Sequence, residues 1–185
     1  MRKLILTSVM AMATFGAFAA ADMTIYYSPT CPHCHHARDF TSQYLVYEYP
    51  TLKVTNVDVT NQANYPAFQK VIKDCGYDSG GVPIVVINGK CFQGFGTPET
   101  TGNEFRGTLD AGLTADEKAT AAANRAEMAA NPDQYRSRHA DRLNAITEQA
   151  GQPEKKTENS GLVFWAVLGV LVVALGFVLL RKKKS

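Results

Sequence analysis

The sequence predicts an α/β domain with the element order βαβαββα, followed by an alanine-rich helical segment and a single apolar span near the C-terminus. Three observations carry the domain. A short β-rich run over 23–27 stands directly before Cys31-Pro32-His33-Cys34 and a helix-spaced apolar face. "LKVTNVDV" reads as a strand and is followed by Phe68, Val71 and Ile72 at helical spacing. "IVVINGKCFQGF" holds two apolar runs joined by Asn88-Gly89, the strongest short-range hairpin signal in a sequence.

In chain order, the first strand leads into the cysteines, and Pro32 suits the first turn of the helix behind them because its missing N–H would have no partner there. Ala37, Phe40 and Tyr44 give that helix its apolar face. The second helix, over 66–75, turns Phe68, Val71, Ile72 and Cys75 inward and stops at Gly76. A Val82-Pro83 step precedes the third strand, over 84–87, and the returning strand covers about 91–95. Thr97-Pro98-Glu99 opens a last helix that faces Phe105 and Leu109 inward.

These elements bound a domain over 22–113. Near Gly112 the composition becomes alanine-rich and helix-prone through 114–150. Thr114 with Glu117 makes a capping box, Asn131-Pro132 breaks the run and Gly151 ends it, so two helices are expected, over 115–130 and 133–149. Alanine buries little area, so these helices should pack loosely on the domain or space it from a membrane. Residues 151–161 read as a flexible linker.

The two ends set the compartment. Arg2 and Lys3 precede an apolar run over 4–18 and small residues, the pattern of a secretory signal over 1–21 cleaved after Ala19 or Ala21. An uncleaved anchor is the alternative, though the run falls short of the ~20 residues a span needs. Residues 162–180 are uncharged and apolar, enough for a helix of roughly 28 Å that crosses a bilayer once. Arg181, Lys182, Lys183 and Lys184 should hold the tail, 181–185, in the cytoplasm, with Trp165 as an interfacial anchor. The expected location is therefore the cell membrane, single-pass, with the domain on the extracytoplasmic (periplasmic) side, where disulfides persist. The net charge of +2 comes mainly from the termini and leaves no basic stripe, so nucleic acid is not an expected partner.

Cys31 would sit at a helix N-terminus, where unpaired N–H groups and the helix dipole favour a thiolate. His33 would favour it further. Cys34, one turn on and more buried, suits the thiol that resolves a mixed disulfide. A stable reduced form makes the disulfide oxidising. Two other readings use the same sulfurs. Cys31-Pro32-His33-Cys34-His35 satisfies the haem attachment pattern, with Met128 or His139 as a second axial ligand, and Cys31, Cys34, His35 and His36 are soft ligands for copper or zinc. Against haem, the motif stands between a strand and a helix and precedes a hairpin; against a metal, His35 and His36 point in different directions on a helix and read as solvated. A haem or copper carrier is thus the alternative to a redox catalyst that needs no cofactor.

Cys75 and Cys91 complete an even count of four. In the fold that the resemblance given below implies, the second helix would end near the active site and Cys91 would begin the last strand at the far end of the hairpin, roughly 10–15 Å away at ~3.3 Å per residue. A bridge needs Cα atoms within about 7 Å. Two separate buried thiols are expected, a bridge or a redox relay being the alternatives.

Strand, Cys-Pro-x-Cys at a helix start and a Val-Pro step before an Asn-Gly hairpin together resemble the thioredoxin-fold thiol-disulfide oxidoreductases in their minimal glutaredoxin form, over residues 22–113. Pro32-His33 is similar to the dipeptide of DsbA-type oxidases, as is Val82 before the proline. The resemblance implies a cis Pro83 against the cysteine pair, with Val82 and Pro83 shaping the surface that receives a client chain. It implies protein thiol and disulfide clients, and a redox partner that resets the site. Glutathione-binding features of glutaredoxins are absent: no lysine precedes the motif in "YYSPTC", and "QGFGTPE" replaces their Gly-Gly and acidic residues. Oxidation or shuffling of protein thiols is expected in preference to reduction.

Overall fold

The computed structural model describes residues 21–150. Apart from Ala21, the expected signal peptide lies outside the described residues, as do the linker, the apolar span over 162–180 and the basic tail. Among the described residues no helix is long and apolar enough to cross a membrane.

The strands β1 (Asp22–Tyr27), β2 (Lys53–Asp58), β3 (Ile84–Ile87), β4 (Lys90–Gln93) and β5 (Ile146–Glu148) form one mixed sheet in the order β4-β3-β1-β2-β5. β1 runs parallel to β2 and antiparallel to β3; β4 returns along β3, and β5 lies parallel to β2. Period-two alternation turns Met23, Ile25 and Tyr27 toward one layer and Tyr26 toward the other. On the first face lie α1 (Pro32–Phe40), burying Cys34, Ala37 and Phe40, and α4 (Thr101–Ala111), burying Phe105 and Leu109. On the second, α3 (Tyr65–Asp74) packs Phe68 and Val71 against Ile84. Each large side chain so buried contributes roughly 1.5–3 kcal/mol.

Local signals held where they were expected. Asn88 and Gly89 have φ of 49° and 83°, both in the left-handed region that a two-residue hairpin turn demands. α3 stops at Gly76, whose N–H returns to the Lys73 carbonyl at 3.1 Å while Tyr77 N–H returns to Ile72 at 3.0 Å. α4 begins later than expected, because Thr97–Thr100 close a turn, Thr100 N–H donating to the Thr97 carbonyl at 3.2 Å. Gly102 in that helix presses against α1: a Cβ there would stand 2.7 Å from Phe40 Cζ, so only hydrogen fits.

Four further expectations are corrected. Tyr44 is not part of the buried face; it is exposed, because α1 continues through a π turn, Thr41–Leu45, before α2 (Val46–Glu48), and the extra residue rotates Leu45 and Val46 inward instead. The helix expected over 133–149 ends early. α5 (Ala115–Ala130), with its Thr114–Glu117 capping box, is followed by a short α6 (Pro132–Arg138), a 3₁₀ stretch and then β5. Nor is this segment loosely packed, since Ala121, Met128 and Tyr135 lie in the core beneath it.

The fourth correction is that Cys75 and Cys91 form a disulfide, with Cα atoms 5.8 Å apart. β2 is parallel to β1 and so ends on the side of the cysteine motif. The helix after it starts there and runs back, which brings Cys75 to the Asn88-Gly89 end of the hairpin, beside Cys91.

A buried ionic cluster ties α2, α4 and α5 together, and nothing in the sequence pointed to it. Glu48 is 0% exposed and takes two bonds from Arg106, at 2.8 and 2.6 Å, and a third from Arg125 Nε at 3.0 Å. Arg125 also donates to the Tyr49 hydroxyl at 2.9 Å, which donates to Asp110 at 2.8 Å. A buried carboxylate is tolerated only when so paired.

Candidate active site

β1 ends at Tyr27, and a turn brings Cys31 to the N-cap of α1, Cys31 N–H donating to the Ser28 carbonyl at 3.1 Å. Cys31 has extended backbone, as an N-cap does, and its sulfur accepts from the Cys34 N–H at 3.3 Å. That is the place where helix N–H groups favour negative charge. Pro32 occupies the first turn, exposed, as does His33.

Both motif cysteines are thiols, Cys31 partly exposed and Cys34 buried at 1%. Burial pushes the Cys34 thiol up to about 12, with its contact to Cys31 adding to the rise and the Arg38 charge opposing it. The arrangement is therefore unequal: one reachable sulfur at a helix terminus and one sheltered sulfur a turn behind it.

The loop before β3 faces this terminus. The Cys31 thiol donates to the Val82 carbonyl at 3.5 Å, and the Val82–Pro83 peptide is cis. The Gln93 side chain on β4 braces the loop, donating to the Ser79 and Gly81 carbonyls at 3.0 and 3.1 Å. His33 Nδ1–H donates to the Phe95 carbonyl at 2.9 Å, which fixes the imidazole against the loop after β4. All six residues singled out from sequence, Cys31, Pro32, His33, Cys34, Val82 and Pro83, thus gather at one end of the sheet.

Gln93, Phe95, Arg38 and Glu148 belong to the same neighbourhood and were missed. Phe95 acts through a backbone carbonyl, which no side-chain identity announces. Glu148 arrives on β5, a strand that read as helix. Its carboxylate takes bonds from Arg38, Asn56 and Tyr27 at 2.8, 2.9 and 3.1 Å.

The ligand readings of the motif fit poorly. His35 Nε2–H donates to the Pro29 carbonyl at 2.7 Å, and His36 is exposed on another side of α1. Among the described residues no three His, Cys, Asp or Glu side chains converge as a metal site would require. A haem thioether on Cys34 would have to enter the close-packed core beside Ala37 and Phe40. Met128, on α5, is buried in the core, and His139 stacks on Tyr135 with ring centroids 4.5 Å apart.

No family model and no curated protein matches the chain. Among solved structures, the glutaredoxin grx-1 of Archaeoglobus fulgidus is similar, at 21% identity over 45% of this chain and 86% of that chain, with a TM-score of 0.35. A likeness of that size decides nothing by itself, and the architecture rests on the strand order, register and cysteine geometry given above.

Proposed function

We propose that this chain is a thioredoxin-fold, glutaredoxin-type oxidoreductase that exchanges disulfides with protein thiols through Cys31 and Cys34, as an oxidase or isomerase rather than a reductase. The unequal pair carries the reading: Cys31 reachable at the N-cap of α1, Cys34 buried one turn on. In the oxidising direction a client thiolate attacks Cys31 of the Cys31–Cys34 disulfide. The client–Cys31 bond forms, the Cys31–Cys34 bond breaks, and Cys34 departs as a thiolate that takes up a proton. A second client thiolate attacks the client sulfur of this mixed disulfide, and Cys31 leaves as a thiolate at the helix N-terminus. The client has lost two electrons and the pair has gained them, so a disulfide-bearing redox partner must reset the site.

Val82 and Pro83, opposite Cys31, flank the place where the client chain lies, and His33, held by the Phe95 carbonyl, stands at the exposed rim between the two cysteines. Export and a single membrane anchor over 162–180 belong to the same proposal on the strength of the sequence: the domain works on the extracytoplasmic side, close to membrane-proximal clients.

Replacing Cys34 with serine abolishes the Cys31–Cys34 disulfide; in the reverse, isomerising direction the Cys31 thiolate attacks a client disulfide, and with no Cys34 thiol to release it the client should stay linked to Cys31. In cells, the Cys34→Ser chain is expected to run as reducible adducts on non-reducing gels, with mass spectrometry placing the link at Cys31, and Cys31→Ser/Cys34→Ser should give none. A Cys34→Ser chain that carries no adduct contradicts the reading.

A further inference from the structure

Arg38 follows Cys34 by one turn of α1, so the two side chains share a face of that helix. Its guanidinium lies over the Tyr27 ring, 4.1 Å from the centroid, and Nη2 donates to Glu148 Oε1 at 2.8 Å. Asn56 Nδ2 donates to the same oxygen at 2.9 Å, and the Tyr27 hydroxyl donates to Oε2 at 3.1 Å. β5 pairs with β2 so that Glu148 stands opposite Asn56, and backbone register therefore brings the Glu148 side chain beside Arg38 and Asn56. Glu148 itself is half exposed, but beneath it Arg38 Nε and Asn56 Oδ1 are buried with no hydrogen-bond partner, so the inner side of the pair lies out of water.

Cys34 must become a thiolate to close the disulfide, yet it sits in the core. The charged and titratable groups of this neighbourhood come from four elements: Cys31 and Arg38 act on Cys34 from α1, and around Arg38 and Tyr27, the latter on β1, stand Asp58 on β2 and Glu148 on β5. Arg38 is the cation among them, and its charge favours the Cys34 thiolate.

Building on the thiol-disulfide reading above, we propose that Glu148 is a positioning residue for Cys34: it holds Arg38 in place and offsets its charge, and the pair together sets how readily Cys34 closes the Cys31–Cys34 disulfide. The strand that delivers Glu148 comes from the alanine-rich segment, which makes that segment part of the redox machinery. Coulomb attraction gives the signs. Glu148→Gln keeps hydrogen-bonding capacity and leaves the Arg38 charge unopposed, so the thiolate gains. Arg38→Gln removes the cation and leaves a carboxylate, so the thiolate loses. A nearby opposite charge changes a thiolate fraction by about tenfold at the low end of its range, the end expected for a partly exposed guanidinium. Lower basicity also lowers nucleophilicity, and the net change in rate is about threefold.

The test uses the full chain in detergent micelles, reduced at Cys31 and Cys34 and mixed with one equivalent of 5,5′-dithiobis(2-nitrobenzoate). Cys31 attacks the reagent, forming a mixed disulfide and releasing one thionitrobenzoate. Cys34, its proton passed to water, then attacks the Cys31 sulfur, forming the Cys31–Cys34 disulfide and releasing the second. At neutral pH the second release should be about threefold faster in Glu148→Gln, about threefold slower in Arg38→Gln and near the parent rate in Arg38→Lys, with the first release unchanged. Second releases that slow alike in Glu148→Gln and Arg38→Gln, as lost packing would make them, overturn the proposal, and so do unchanged ones. A parent chain with no second release overturns the thiol-disulfide reading itself.

Discussion

The Cys31 thiol donates to the Val82 carbonyl at 3.5 Å across 51 residues of sequence, closing the N-terminus of α1 against the loop before β3. Cys31 remains partly exposed there, whereas Cys34 is 1% exposed and its thiol is pushed up to about 12, by burial first and by the Cys31 contact second. Iodoacetamide alkylates thiolates it can reach. In the reduced, folded chain it should label Cys31 alone, with Cys34 following only on unfolding. Peptide mass mapping after brief exposure reads the order, and equal labelling would contradict it.

The Cys75–Cys91 bridge closes a loop of sequence separation 16, at the end of the sheet away from Cys31. A loop of that size stabilises a fold by about 3 kcal/mol through the entropy of the unfolded chain. Cys75→Ala/Cys91→Ala should lose about that much in denaturant unfolding while leaving the potential of the Cys31–Cys34 pair unchanged. A potential that moved with the bridge would mean the two sulfur pairs communicate, contrary to a purely structural disulfide.

Glu48 is fully buried between Arg106 and Arg125. Removing Arg106 takes two of the three guanidinium bonds from Glu48 and leaves Arg125 as its one cation, and breaking such a buried pair costs roughly 3–5 kcal/mol. Arg106→Met is expected to lie in that range by denaturant unfolding; a loss under about 1 kcal/mol would show that the cluster relaxes into water, as a surface pair does.

Tyr49 is buried, and its phenol is held above the ordinary tyrosine value, by burial first and then by its bond to Asp110. In the unfolded chain it ionises near pH 10. Above that pH the unfolded state binds fewer protons than the folded one. The contribution is therefore complete below about pH 10 and is lost as pH rises through the raised folded value. Tyr49→Phe should cost about 0.5–1.5 kcal/mol at neutral pH for the lost bond. It should also flatten the decline in stability between about pH 9 and 11 relative to the parent. Parallel declines would contradict this assignment.

What could be read from sequence was local. Pro32, the alternation along β1, Gly76 and Asn88-Gly89 each obey a rule that needs only near neighbours, and Cys31, Cys34 and Val82 mark the site. Three residues, Ile146–Glu148, are a strand only because β2 offers an unpaired edge, so pairing overrode the helix propensity of their surroundings. Glu48 reads as a surface acid in "LVYEYP" because Arg106 and Arg125 lie 58 and 77 residues away. The Cys75–Cys91 bridge depended on the direction of α3, which follows from β1 and β2 being parallel rather than from spacing.

The reduction potential of the Cys31–Cys34 pair tests the central claim most directly. It is read from the alkylation state of both sulfurs in the full chain after equilibration against glutathione redox buffers. The account predicts one reversible two-electron transition confined to Cys31 and Cys34, near the oxidising limit of about −120 mV rather than about −270 mV. A value at the reducing limit would contradict the oxidase direction. Sulfurs that never interconvert between dithiol and disulfide would contradict the redox function altogether.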